Sequence, residues 1–161
     1  MVVIVMGVAG SGKTTIASGL ARELGWDFLD ADSFHPPANV AKMAAGIPLD
    51  DSDRAPWLHA LRLEIEHALR DRRSLALACS ALKETYRSQL MIDPEVRLVY
   101  LQGSFEVLRE RLQGRTGHFM PDSLLASQLE TLEEPSNAIT FDVRAPAPEI
   151  VAEIRRRLRL E

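Results

Sequence analysis

The segment Gly7-Val8-Ala9-Gly10-Ser11-Gly12-Lys13-Thr14 constrains this chain more than any other, because it matches G-x-x-x-x-G-K-[ST] in full. It follows the apolar run Val2-Val3-Ile4-Val5-Met6 and precedes a helical pattern in which Ile16, Leu20 and Leu24 share one face, with Gly25 as the stop. A strand, a glycine loop and a helix N-terminus are the setting that phosphate binding demands. Glycines let backbone N–H groups turn inward around phosphate oxygens, and the helix start adds partial positive charge. Lys13 is the candidate for the β- and γ-phosphates, and the Thr14 hydroxyl for Mg²⁺. Gly7, Val8, Ala9, Gly10, Ser11, Gly12, Lys13, Thr14 and the adjoining Thr15 are therefore the candidate nucleotide-binding residues. The alternative is a glycine-rich turn with no ligand, and the flanking strand and helix weigh heavily against it.

Downstream, short apolar runs alternate with helix-period segments. The second run ends in Phe28-Leu29-Asp30, and others follow at 75–79, 96–101 and 139–143. Between them, Leu58, Leu61, Ile65, Ala68 and Leu69 mark one helix face, Phe105, Leu108 and Leu112 another, and Ile150, Ile154 and Leu158 a third. This alternation predicts an α/β fold of the P-loop NTPase kind, a parallel sheet covered by helices on both faces. A chain of 161 residues fits one such domain over 1–161. Two stretches break the pattern. Residues 32–57 are rich in Pro, Asp and Gly and are expected to form the substrate side, and 114–121 a short lid.

Charge and cysteine usage narrow the function classes. A net charge of −4 gives no basic field to gather nucleic acid, and Arg155-Arg156-Arg157 with Arg159 reads as a solvated helix end. The single cysteine, Cys79, excludes an internal disulfide and ends an apolar run, so a buried inert thiol in a reducing compartment is expected. The apolar N-terminus is too short to span a membrane and has no basic segment ahead of it. The expectation is a soluble, cytoplasmic chain with neither nucleic-acid nor membrane partners.

The branch of phosphate-loop protein follows from its acids. No Asn-Lys-x-Asp motif reads a guanine base, and neither the third nor the fourth apolar run ends in an acid. The acids stand after the second run, in Leu29-Asp30-Ala31-Asp32. That placement suits a small-molecule kinase, in which carboxylates beside the γ-phosphate orient Mg²⁺ and take the acceptor's proton.

These residues resemble the gluconokinases of the shikimate-kinase-like P-loop group. The likeness runs through the phosphate loop, Phe28-Leu29-Asp30-Ala31-Asp32-Ser33-Phe34-His35-Pro36, Asn39-Val40-Ala41-Lys42-Met43 and Gly46-Ile47-Pro48-Leu49-Asp50-Asp51-Ser52-Asp53-Arg54 with Pro56-Trp57-Leu58. It continues through Cys79-Ser80-Ala81-Leu82-Lys83 with Tyr86-Arg87, Gly117-His118-Phe119 and Leu132-Glu133-Glu134-Pro135, in register over nearly the whole chain. The resemblance implies five parallel strands in the order 2-3-1-4-5, with ATP at their carboxyl edge. It also implies ATP-dependent phosphorylation of D-gluconate at its 6-hydroxyl, with Mg²⁺, in a homodimer. The alternatives are a kinase for another small hydroxy acid or polyol, shikimate among them, and a nucleotide-binding switch without turnover.

Several side chains carry two readings each. Asp32 is the candidate base and Asp30 a water-mediated Mg²⁺ partner, or both cap a turn. His35 meets a gluconate hydroxyl or satisfies a turn before Pro36-Pro37. Asp50-Asp51-Ser52-Asp53 lacks the spacing of a calcium loop and reads as helix capping. Arg54 pairs with the gluconate carboxylate, the choice the resemblance favours, or with Asp51 or Asp53. Lys83 and Arg87 share a helix face, with Lys83 contacting substrate or phosphate, or merely solvated. Arg111 and Arg115 lead into the lid, to flank the adenine or to stabilise the transferring phosphoryl group, Arg115 in a catalytic role. His118 and Phe119 close the site against water, and Trp26 and Trp57 are packing residues.

Overall fold

A computed structural model describes residues 1–114 and 120–161. Five parallel strands form the sheet: β1 (Val2–Met6), β2 (Asp27–Asp30), β3 (Leu75–Ala78), β4 (Val96–Gln102) and β5 (Ile139–Asp142). Their order is β2-β3-β1-β4-β5, as the resemblance implies. The third and fifth strands each stop one residue short of the apolar runs that mark them, within the ordinary blur of strand ends.

The central strand shows why the sheet is covered on both sides. Its five residues are all buried, and alternation sends them to opposite faces. Val3 and Val5 pack with Ile16, Leu20, Leu108, Ile150 and Ile154, from α1 (Lys13–Leu24), α5 (Phe105–Gln113) and α7 (Ala147–Leu158). Val2, Ile4 and Met6 pack on the other face with Leu58, Leu61 and Ile65 of α3 (Asp51–Arg70) and Tyr86 and Leu90 of α4 (Glu84–Leu90). Gly25 ends α1 in the left-handed conformation, φ 68°, its N–H donating to Ala21 O.

The irregular stretch 32–57 has local structure of its own. A 3-10 turn over Ala31–Phe34 leads into α2 (Pro37–Ala44), and α3 then starts at a capping box. Asp50 accepts from Asp53 N while the Asp53 carboxylate accepts from Asp50 N, which is the capping role expected of this acidic run. After α5, the helix α6 (Asp122–Thr131) returns across the carboxyl edge of the sheet and lines the cavity there with Leu124 and Gln128. Among the described residues, no helix is long and apolar enough to cross a membrane.

Candidate active site

A cavity of about 250 Å³ opens where the carboxyl ends of the strands meet, at the switch of direction around β1. It is lined by the phosphate loop (Ala9, Gly10, Gly12, Lys13, Thr14), by Asp32, His35, Arg54 and Trp57 from the substrate side, and by Ser80 and Leu82 after β3. Leu112, Met120, Leu124, Ser127 and Gln128 close the far wall.

The loop's glycines are required by its geometry at two points. Gly10 and Gly12 have φ of 81° and 93°, in the region that side chains avoid. A Cβ on Gly10 would stand 2.9 Å from Leu112 Cγ and 3.1 Å from Leu108 O. One on Gly12 would stand 3.5 Å from Arg111 Nη2, so the Arg111 guanidinium lies against the phosphate loop. Arg111 Nη1 also donates to Val143 O at 2.5 Å, tying α5 to the end of β5. Ser11 Oγ is buried and has no hydrogen-bond partner among the described residues. Lys13 Nζ donates to Val8 O at 3.0 Å, which holds the ammonium across the loop.

The acids after β2 meet the loop. Thr14 Oγ1 donates to Asp30 Oδ2 at 2.8 Å, while Asp30 Oδ1 accepts from Asp32 N at 3.0 Å. Asp30 therefore caps the 3-10 turn and faces the loop hydroxyl at once, so its two readings are not exclusive. The basis for pairing the acids differs from the sequence argument. The chain turns at Ala31 instead of continuing extended, so strand alternation does not align Asp30 with Asp32. Asp32 lines the cavity and Asp30 stands behind it, against Thr14.

Of the tryptophans, Trp57 has more than a packing role. It is buried, its Nε1–H donates to Ala31 O at 2.7 Å, and its ring stacks on His35 with centroids 4.5 Å apart. His35 is held from its other side by buried Asn39, whose amide nitrogen donates to Asp53 O at 2.8 Å. A carbonyl only accepts, so the orientation of that amide is settled, and its second N–H faces His35 Nδ1 at 3.2 Å. Burial pushes the His35 imidazole below its ordinary value of 6.5. The neutral ring, accepting at Nδ1, carries its proton on Nε2, a donor for a hydroxyl in the cavity.

The cations divide sharply. Lys42 pairs with Asp53 at 2.8 Å, and Lys83 with Asp51 at 3.0 Å. Arg54 pairs with neither. Its Nη1 donates to Tyr86 Oη at 3.1 Å, and among the described residues no carboxylate forms an ion pair with it. Lys83 does not line the cavity, and buried Arg87 is spent on Ala81 O, Leu82 O and Glu84. Arg115, His118 and Phe119, with most of the expected lid, lie outside the described residues. Cys79 is buried, and burial pushes its thiol up to about 12, which makes it inert as expected.

Sequence reasoning passed over Gln128. Its Oε1 accepts from Ala9 N at 2.8 Å, so α6 holds the phosphate loop across 119 residues of chain. A glutamine midway along an amphipathic helix gives no local signal, and the contact exists through folding alone. Gln128→Ala is expected to lower Tm by about 3 °C, the effect of one hydrogen bond of about 1 kcal/mol in a chain this size. Gln128→Glu keeps the acceptor but sets a carboxylate beside the loop, so Tm should hold while KM for ATP rises by about tenfold. Thermal melts and initial rates on both variants check this.

Residues 2–135 match the family model described as an AAA domain. The chain is 51% identical over 135 residues to the gluconokinase of Gluconobacter oxydans (strain 621H), covering 83% of this chain and 76% of that one. A sugar kinase from Janibacter sp. HTCC2649 superposes with a TM-score of 0.91 at 47% identity, covering 99% of this chain and 94% of that one. A gluconokinase from Sinorhizobium meliloti 1021 superposes with a TM-score of 0.83 at 43% identity, covering 98% and 94%.

Proposed function

The chain belongs to the gluconokinase family, an ATP-dependent kinase acting on gluconate, and we propose from that premise how its cavity performs the transfer. The acceptor is the 6-hydroxyl of D-gluconate. Asp32 takes the proton of that hydroxyl, the oxygen attacks the γ-phosphorus of ATP, and ADP leaves with the bond to its bridging oxygen broken. Lys13, Arg111 and Arg115 balance charge on the phosphoryl group and on ADP, and Arg111 flanks the base. His35 donates from Nε2 to a gluconate hydroxyl.

Thr14 and Asp30 are the residues that would hold Mg²⁺. A hydroxyl and a carboxylate oxygen 2.8 Å apart are the hard donors it prefers, and with phosphate ligands one or two protein oxygens suffice. Among the described residues no cluster of three or more His, Cys, Asp or Glu could hold a metal alone, which suits an ion arriving with the nucleotide. Held by these two residues, Mg²⁺ would supply neutralisation of phosphate charge. The homodimer implied by the resemblance belongs to the same proposal.

The observation that carries the acceptor assignment is Arg54. It lines the cavity, while its acidic neighbours Asp51 and Asp53 are committed to Lys83 and Lys42. A guanidinium without a carboxylate is a site for one, and a neutral sugar would leave it unpaired. ADP release should therefore be fast with gluconate and slight with glucose or shikimate. Arg54→Ala should lose gluconate turnover by about a hundredfold in kcat/KM while ATP affinity is retained. Comparable rates on glucose would remove the carboxylate argument, and shikimate as best acceptor would overturn the assignment.

A further inference from the structure

Arg54 lines the cavity, and beside it three linked side chains lie outside the cavity. Tyr86 is buried, and its hydroxyl has a partner on each side: it donates to Asp51 in a short hydrogen bond and accepts from Arg54 Nη1 at 3.1 Å. Arg54 Cζ lies 5.4 Å from the Tyr86 ring centroid, and Lys83 Nζ lies 5.6 Å from it. Lys83 Nζ also donates to Asp51 Oδ1, the same oxygen that Tyr86 engages. None of Asp51, Tyr86 and Lys83 lines the cavity, whereas Arg54 does.

Asp51 and Arg54 are three apart on α3, close enough to pair directly on one helix face. That direct pair would cancel the charge the acceptor needs. Instead the Asp51 carboxylate is turned to Lys83 and the tyrosine hydroxyl, and Arg54 receives a neutral oxygen as its partner.

We propose that Lys83, Asp51 and Tyr86 are positioning residues that set acceptor specificity: Lys83 occupies Asp51, and Tyr86 aims Arg54, so that the guanidinium stays available to the acceptor carboxylate. This rests on Arg54 being the carboxylate site and assigns Lys83 a role distinct from direct substrate contact. The arrangement couples helix α4 to helix α3 at the one point where charge decides the substrate.

The test uses the purified chain with ATP and gluconate. Lys83→Met frees Asp51 to capture Arg54, and KM for gluconate is expected to rise by about fivefold, with KM for ATP and Tm near wild type. Adding Asp51→Asn to that variant removes the competing carboxylate and should return KM for gluconate close to wild type. Tyr86→Phe keeps the ring and removes the hydroxyl, and it should raise KM for gluconate while leaving KM for ATP unchanged. A Lys83→Met variant with wild-type KM for gluconate overturns the proposal. So does a double variant as impaired as Lys83→Met, since that result makes Lys83 a direct substrate contact. Arg54→Ala separates the levels: if it lowers gluconate use while these variants do not, the carboxylate site stands and the positioning role falls.

Discussion

Lys13→Ala is expected to keep the fold and lower kcat by about a thousandfold, the loss that follows removal of one preorganised charge from the transferring group. The cost to stability should be small. Lys13 Nζ donates to Val8 O within the loop, a hydrogen bond to backbone contributing about 1 kcal/mol, so Tm should move by only about 3 °C. Neither core beneath the loop includes Lys13: β1 contributes to both, and α1 contributes Ile16, Ala17, Leu20 and Ala21 to one of them. Stopped assays for kcat, run beside a thermal melt, separate the two effects. A folded variant with turnover near wild type would sink the assignment of Lys13 to the phosphates.

Asp32→Asn should lower kcat by about a thousandfold while nucleotide affinity survives, because the amide keeps the size of the carboxylate but accepts no proton. The second acid should behave differently. Asp30 Oδ2 meets Thr14 Oγ1, and its Oδ1 caps the 3-10 turn at Asp32 N. Asp30→Asn should therefore raise the Mg²⁺ concentration needed for half-maximal rate, with little cost in stability, because an amide oxygen can still accept from Asp32 N and cap the turn. Rates over a Mg²⁺ series with both variants decide the division. If Asp30→Asn abolishes turnover at saturating Mg²⁺ and Asp32→Asn does not, the two roles are reversed.

How far these residues were legible depended on whether their partners lie nearby in the chain. The Asp50–Asp53 capping box spans three residues, so its pattern announces the start of α3. The fate of Arg54 is different. Asp51 and Asp53 are its neighbours on the helix, yet they pair with Lys83 and Lys42, and Arg54 donates to Tyr86, 32 residues away. Trp57 looked like packing because an aromatic on a helix face normally is. Its stacking on His35 depends on the path of the 3-10 turn, which polar, Pro-rich sequence does not encode as a period.

By itself the sequence determined the phosphate loop, the alternation of strand and helix, the position of each strand to within a residue or two, and, through its extended resemblance, the family. These are local quantities: glycine spacing, a period of hydrophobicity, a cap. Tertiary structure alone decided which charges remain available. Closing the sheet in the order β2-β3-β1-β4-β5 brings the ends of β1, β2 and β3 to one edge and lays α6 across it. There Gln128 finds Ala9, Asp30 finds Thr14, and Lys83 finds Asp51. A side chain's type states what it can bind. The neighbours that folding delivers state what it is still free to bind, and they are distant in sequence because parallel strands require long crossovers between them.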